Sequence, residues 1–271
     1  MIFECRIVQR FGKAGKWNMR QRKSTLGVLV LIAALTATLA AKGQEIVPAR
    51  EYRKCMALAR ANPELGFGRA TSWLGLGGSD AAHHCQAVAL VQLGQYGEGA
   101  RRFEALAQAI RAAAPFRAEL FAQAAQAWLL AGQPARAEDV LTSALGLDAN
   151  NPELYVDRAQ AAAALGNWKP AADDLSRALA IDPGLVDALV FRASAHRHLG
   201  RAADAEADAE QALRLDPGNA EASLESGILH RQAGRKAESR ARWLAVIRGA
   251  PGTPAARLAR EYLQRMDGPE R

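Results

Sequence analysis

Glycines divide the second half of the chain at a fixed interval, and each lies between two helical patterns of apolar and polar residues. Gly132, Gly166, Gly200 and Gly234 follow one another 34 residues apart. A glycine at this place supplies the left-handed backbone conformation that ends a helix. The pattern therefore predicts antiparallel helix pairs joined by short turns.

Small residues recur at the same interval, which allows the two helices of a pair to approach closely. Three such sets are Ala125, Ala159, Ala193 and Gly227; Ala137, Ala171, Ala205 and Ser239; Ala144, Ala178, Ala212 and Val246. Most units close on a proline turn, as at Pro183 and Pro217, because proline cannot continue a helix. A single helix pair cannot bury its apolar face, so each unit must pack on the next one.

This 34-residue helix–turn–helix, with matched small residues and a closing proline, resembles the tetratricopeptide repeat (TPR). The resemblance implies an all-α fold, a right-handed α-solenoid of helix–turn–helix repeats with a C-terminal capping helix. A segment at 41–79 contains a degenerate helical hairpin, and the capping helix and tail occupy 254–271. Five repeats are expected between them, at 80–117, 118–151, 152–185, 186–219 and 220–253.

Positive charge is concentrated at the N-terminus of the chain. The formal net charge is +7, and residues 1–40 hold seven basic residues and one acid, so they contribute +7 − 1 = +6. The remaining residues carry only +7 − 6 = +1, with acids and bases interspersed. A nucleic-acid partner is therefore not indicated.

The N-terminal 40 residues have the three parts of a secretory signal peptide. A basic stretch ends at Lys23, an uncharged and mostly apolar run covers 26–41, and small residues precede an expected cleavage site after Ala40. The run is shorter than the roughly 20 residues of a membrane-spanning helix. We expect an exported bacterial protein of the periplasm, with Met19 as an alternative start. A retained leader would instead anchor it in the inner membrane, facing the periplasm, and only then is membrane contact expected.

The cysteine count agrees with export. Cys5 would be removed with the leader, which leaves Cys55 and Cys85 as an even pair in an oxidising compartment. We predict a disulfide between them. The alternative is two unpaired buried thiols in a reducing cytosol.

Neither metal binding nor a cofactor is indicated. His83, His84 and Cys85 are adjacent, and neighbouring helical residues point about 100° apart, whereas zinc needs three or four converging ligands. His196 and His230 occupy equivalent places in successive repeats and are expected to fill the interior of those repeats. No cofactor motif is present, and the glycine-rich stretch before residue 80 lacks the ending of a phosphate loop.

Catalysis is not indicated either. No nucleophile motif is present, and the acids Asp204, Glu206, Asp208 and Glu210 wind around a helix without converging on one point. We expect these acids to be solvated surface and the protein not to be an enzyme.

Tetratricopeptide repeats bind a partner's peptide or helix in a groove lined by the first helix of each repeat, and the resemblance implies the same here. An apolar stripe edged with Gln and Arg suits an amphipathic helix or an extended apolar segment of a partner protein. The alternative is that the aliphatic members pack against neighbouring repeats or the protein's own tail. The groove positions carried over are Ala122, Gln126, Leu129, Val156, Gln160, Val190, Ser194, Arg197, Leu224, Ile228 and Arg231.

The function expected from these features is a non-catalytic interaction scaffold or adaptor of the bacterial cell envelope. A membrane-tethered assembly factor or holdase chaperone with a retained leader is the alternative. A metal-binding protein or an enzyme is a third hypothesis, which the residue patterns disfavour.

Overall fold

The computed structural model describes residues 48–268, so the leader, Cys5 and the expected cleavage site lie outside the described residues. Within this range the chain forms helices and no strand, which confirms the all-α prediction. The thirteen helices are α1 (Pro48–Ala61), α2 (Pro63–Gly75), α3 (Ser79–Gln92), α4 (Tyr96–Ala109), α5 (Ala114–Leu130), α6 (Pro134–Leu147), α7 (Pro152–Ala164), α8 (Trp168–Ile181), α9 (Val186–His198), α10 (Ala202–Leu215), α11 (Ala220–Gln232), α12 (Lys236–Gly249) and α13 (Pro254–Asp267).

The periodic glycines end the first helix of each pair in the way their spacing predicts. Gly166 has a φ of 79°, and Gly132, Gly200 and Gly234 lie between 70° and 77°. After α7, the N–H of Gly166 donates to the carbonyl of Ala163, and the N–H of Asn167 donates to that of Ala162 at 2.9 Å. These two bonds satisfy carbonyls that the end of the helix leaves free. A side chain at this position would be strained.

The helix pairs stack so that their first helices form one layer. Successive first helices contact each other directly, whereas successive second helices are farther apart. The stack therefore curves with the first helices on its concave side. We call α3, α5, α7, α9 and α11 the inner helices, and α4, α6, α8, α10 and α12 the outer helices.

Small residues on the inner helices set how closely each pair packs. Ala125, Ala159 and Ala193 are fully buried against their partner helices. At the equivalent place in the last pair, a Cβ on Gly227 would lie 2.3 Å from Nε1 of Trp243. Glycine there makes room for the Trp243 indole, which also stacks on Tyr262 of α13 with ring centroids 5.2 Å apart. The last repeat and the capping helix are joined through this ring.

A disulfide joins the N-terminal hairpin to the first complete pair. The structure links Cys55 of α1 to Cys85 of α3, with Cα atoms 6.2 Å apart and both side chains fully buried. Helices α1 and α2 also approach closely, since a Cβ on Gly66 would lie 2.4 Å from the Cα of Ala59. The hairpin is thus an integral part of the stack.

The opposite end of the stack is closed by α13. Thr253 caps this helix by accepting a hydrogen bond from the N–H of Ala256 at 3.2 Å. Its buried face carries Ala255, Ala256, Leu258 and Ala259. Across residues 48–268, every helix is too short or too polar to span a bilayer.

Candidate functional site

The inner helices carry all eleven predicted groove residues, but most of them are not on the surface. Leu129, Arg197 and Ile228 are half-buried, and Arg231 is exposed. The other seven are buried: Ala122, Gln126, Val156, Gln160, Val190, Ser194 and Leu224.

The apolar stripe expected as the floor of the groove lies in the interior. Ala122, Val156, Val190 and Leu224 are at most 1% exposed. The many alanines of the inner helices let successive helices approach closely, so these four side chains pack between them. A partner therefore cannot contact this stripe. Glutamate at Val190 or Leu224 would bury an unpaired charge and unfold the stack, in addition to any effect on binding.

Hydrogen bonds through His84 join α1, α3 and α5. The hydroxyl of Tyr52 in α1 lies 3.1 Å from Nδ1 of His84, and Nε2 lies 3.0 Å from Oε1 of Gln123 in α5. Since that amide oxygen can only accept, Nε2 carries the proton and Nδ1 accepts from Tyr52. Burial lowers the pKa of His84 to about 4 and raises that of Tyr52 to about 12.

The histidines and cysteine considered as metal ligands have other roles. Both ring nitrogens of His84 are hydrogen-bonded, Cys85 is in the disulfide, and His83 is exposed. His196 lies 3.8 Å from Asp208, and His230 accepts a hydrogen bond from Arg235 at 3.0 Å. Over residues 48–268, no three such side chains converge on a point where a metal ion could sit.

The middle inner helices are joined by buried amides. Nε2 of Gln126 in α5 donates to Oδ1 of Asp157 in α7 at 2.9 Å, and both side chains are almost fully buried. One turn further along α7, Gln160 is 1% exposed. Neither Nε2 nor Oε1 of Gln160 has a hydrogen-bond partner among the described residues. Such a buried amide is rare in a folded protein and requires an explanation.

A buried ion pair joins the last two inner helices. Nε of Arg197 in α9 donates to Oε1 of Glu225 in α11 at 2.5 Å, and Nη2 donates to Oγ of Ser194 at 3.1 Å. Glu225 is fully buried, and burial raises the pKa of its carboxyl, an effect that Arg197 opposes. The groove prediction assigns Arg197 to a partner, whereas the structure uses it within the stack.

Two of the acids expected on a solvated surface are paired with arginines. Asp208 is buried and accepts two hydrogen bonds from Arg192, at 2.7 and 2.8 Å, and Glu206 accepts one from Arg235 at 2.5 Å. The same bidentate pair recurs 34 residues earlier between Arg158 and Asp174. The two bidentate pairs join the inner and outer helix of a repeat, whereas Arg235 precedes α12 and joins it to α10 of the preceding repeat. All three pairs have a structural role.

The sequence analysis did not identify a row of acids on the inner helices. Its members are half-buried or exposed, one on each of α5, α7, α9 and α11, and we call them the acidic row: Glu119, Glu153, Asp187 and Glu221. Each lies three residues before a member of the apolar stripe and therefore on the same helix face. Their 34-residue spacing is visible in the sequence, so the interval that located the glycines could have located this row.

Comparisons with known proteins agree with this architecture. Residues 129–195 and residues 192–254 each match the tetratricopeptide repeat family. Searching the curated proteins by sequence finds no match.

Solved structures of similar shape were found as well. A thermophilic TPR protein of Thermus thermophilus matches 68% of this chain and 99% of its own, with 21% identity and a TM-score of 0.57. The crystal structure of MamA matches 72% of this chain and 98% of its own, with 17% identity and a TM-score of 0.53. YrrB, described as a TPR protein with an unusual peptide-binding site, matches 66% of this chain and 91% of its own, with 17% identity and a TM-score of 0.50. At these low identities, the three matches show similarity of fold alone.

Proposed function

The chain belongs to the tetratricopeptide-repeat family, and on that premise we propose that it is a non-catalytic scaffold whose inner face binds a basic segment of a partner protein. The acidic row is the observation that carries this proposal. YrrB, which shares the fold, has a peptide-binding site. A stack of this kind is rigid, so binding requires little ordering of the scaffold itself.

The dimensions of the acidic row suit an extended or helical segment. Packed helices lie about 8–10 Å apart, so four acids on successive inner helices span roughly 30 Å. A partner with a Lys or Arg at every third or fourth helical position could pair with them along that length. On the same helices, Leu129 and Ile228 are half-buried and pack against the core.

The row also contributes to the stability of the helices, and a test must separate the two roles. Glu153, Asp187 and Glu221 lie in the first turns of their helices, where acids interact favourably with the helix dipole. Asp204 of α10 and Glu238 of α12 occupy first turns of outer helices and are exposed. These two acids provide matched controls.

Reversing the charge of the row is expected to weaken binding of a basic peptide. The probe is a labelled peptide of about 18 residues, long enough to cover the row as a helix, with Lys at every third or fourth position and Leu between. For the protein isolated from its own cells, Glu153→Lys together with Asp187→Lys should raise the Kd by about tenfold, or about 1.4 kcal/mol. Fluorescence anisotropy measures this change.

The outer-face variant Asp204→Lys with Glu238→Lys should bind the probe as the wild type does. A matched peptide with Glu in place of Lys should bind weakly to all three proteins. Equal loss of binding in the inner and outer variants would assign the effect to general charge and contradict the proposal.

We further propose that the protein is exported to the periplasm of a bacterium, where it acts as a scaffold of the cell envelope. The basic stretch, apolar run and small residues of the leader support export. Mass spectrometry of the protein from its own cells should find a mature N-terminus near Ala41. A chain that still begins at Met1 or Met19 would contradict cleavage and favour a tethered assembly factor or holdase.

A further inference from the structure

We propose that the N-terminal hairpin docks on anionic lipid headgroups, through a basic face of α1 and two exposed leucines beside it. This surface belongs to the folded part of the chain, whereas the sequence analysis expects membrane contact only from a retained leader. The choice of a lipid partner rests on the proposed location in the cell envelope, which brings lipid surfaces within reach. The inner face takes no part in the contact.

One face of α1 is exposed and carries positive charge with no acid. Its exposed positions recur three or four residues apart, whereas the opposite face, with Cys55 and Ala59, is buried. We call the basic residues at the exposed positions the basic face: Arg50, Arg53, Lys54 and Arg60. They extend over about 15 Å of the helix. The face is therefore long enough for several headgroups to contact it together.

Most of this positive charge is not neutralised within the hairpin. Lys54 is the one member of the basic face with a carboxylate in ion-pair distance among residues 48–268, since it lies 3.3 Å from Glu51. Glu51 also accepts a hydrogen bond from Arg69 of α2. Residues 48–79 hold five basic residues and two acids, so their net charge is +5 − 2 = +3.

The same hairpin holds the two most exposed large apolar side chains of residues 48–268. Leu65 of α2 is 60% exposed, and Leu76, directly after α2, is 69% exposed. They are eleven residues apart, which is about three helical turns, so both lie on one face of α2 about 16 Å apart. Neither packs in the apolar core, so both are available to a partner.

A network of ion pairs places these leucines beside the basic face. Arg69 lies four residues after Leu65 and seven before Leu76, and therefore on the same face of α2. Its guanidinium donates to Glu51 of α1, and Glu51 also accepts from Lys54 of the basic face. A different face of α2 hydrogen-bonds to α3. The bases and the leucines thus form one surface at the free end of the stack.

A lipid surface suits this arrangement. Lysines and arginines near an anionic bilayer bind it without a fixed register, and apolar side chains beside them enter the headgroup region. The charge of the stack also favours contact through its end. The three repeats at 118–219 hold eight basic residues and fifteen acids, +8 − 15 = −7, so an anionic surface repels them. Docking through the hairpin would leave the inner face open to a partner protein.

The opposite end of the stack is also basic but lacks these features. Helix α13 has three exposed arginines, and the acids Glu261 and Asp267 lie among them. Its large apolar side chains are buried or half-buried. Six steps of about 10 Å separate it from α1, several times the Debye length of about 8–10 Å. These arginines therefore provide a matched control: Arg257, Arg260 and Arg265.

The test measures co-sedimentation of the protein isolated from its own cells with vesicles of equal parts phosphatidylglycerol and phosphatidylcholine. Vesicles of phosphatidylcholine alone are the reference and should bind weakly. Arg50→Gln, Arg53→Gln and Arg60→Gln together should raise the Kd for the anionic vesicles about 100-fold, from about fivefold for each basic residue near the surface. The control variant, with Gln at the three α13 arginines, loses the same charge and should change the Kd by no more than about twofold.

A second variant tests the apolar part of the surface. Leu65→Ala with Leu76→Ala should raise the Kd for the anionic vesicles about tenfold, because less apolar surface is buried in the headgroup region. Added salt should weaken binding of this variant as it does that of the wild type, since the basic face is intact. Circular dichroism should show equal helix content for all variants, because every substituted side chain is exposed.

The outcomes separate this inference from the proposals above. Equal losses in the α1 and α13 variants would assign binding to net charge and overturn it, as would equal binding to both kinds of vesicle. An unchanged Kd in the leucine variant would contradict the docked surface. Tighter binding to soluble polyglutamate than to anionic vesicles would assign the basic face to an acidic protein instead. The α1 variant should bind the Lys/Leu peptide as the wild type does. Failure of the wild type to bind that peptide, with vesicle binding intact, would contradict the function of the inner face alone.

Discussion

Replacing Arg197 with Met is expected to lower the free energy of unfolding by about 3–5 kcal/mol, the usual effect of breaking a buried ion pair. The substitution leaves the fully buried Glu225 carboxylate without the guanidinium that accompanies it between α9 and α11. Urea unfolding followed by circular dichroism at pH 7 measures the loss. The difference in unfolding free energy between the variant and the wild type should become smaller as the pH falls. Burial raises the pKa of Glu225, and protonation removes the uncompensated charge.

The control is an ion pair of similar type on the surface. Lys169 and Asp173 are 2.8 Å apart, and their side chains are 69% and 66% exposed. Lys169→Met should change the stability by no more than about 0.5 kcal/mol. Glu225→Gln added to Arg197→Met should restore part of the loss. If Arg197→Met has as small an effect as Lys169→Met, the pair does not stabilise the inner layer.

Acidification from pH 7 to pH 4 is expected to remove about 3 kcal/mol of stability through His84 alone, at about 1.4 kcal/mol for each unit of pKa difference. The pKa of His84 is about 4 in the folded chain, against an ordinary value of 6.5. Between these values the unfolded chain binds a proton that the folded chain does not. Stability is therefore highest above pH 6.5 and falls as the pH drops towards 4. Urea unfolding at several pH values measures this slope.

His84→Gln should flatten the pH dependence in this window, since glutamine does not titrate. The exposed neighbour provides the control, and His83→Gln should keep the slope of the wild type. Identical slopes for the wild type and His84→Gln would show that this ring does not govern acid stability.

The helices and their turns could be predicted because their signals are local. The positive φ of Gly166 and its equivalents is required by the turn itself, and the 34-residue interval repeats that requirement. Burial could not be predicted in the same way. The family resemblance assigns Val156 and Val190 to the groove, with packing against neighbouring repeats as the alternative, and both side chains are buried. Their exposure depends on the distance between helices, which the period does not determine.

Ion pairs between side chains of different helices could not be predicted from the sequence either. Asp208 is expected to be solvated, whereas it is buried against Arg192 from the other helix of its repeat. The helical pattern of α10 places this acid on the same buried face as Ala205, Ala209 and Ala212, but it does not identify the arginine on α9 that pairs with it. The acidic row is a different case. It obeys the 34-residue interval and could have been found by applying that interval to charged residues as well as to small ones.

The most direct test of the account is hydrogen–deuterium exchange of the protein isolated from its own cells, with and without the Lys/Leu peptide. If the inner face binds a basic segment, the peptide should slow amide exchange in the first turns of α7, α9 and α11, and leave α8, α10 and α12 unchanged. Protection confined to the outer helices, or no protection with saturating peptide, would contradict it.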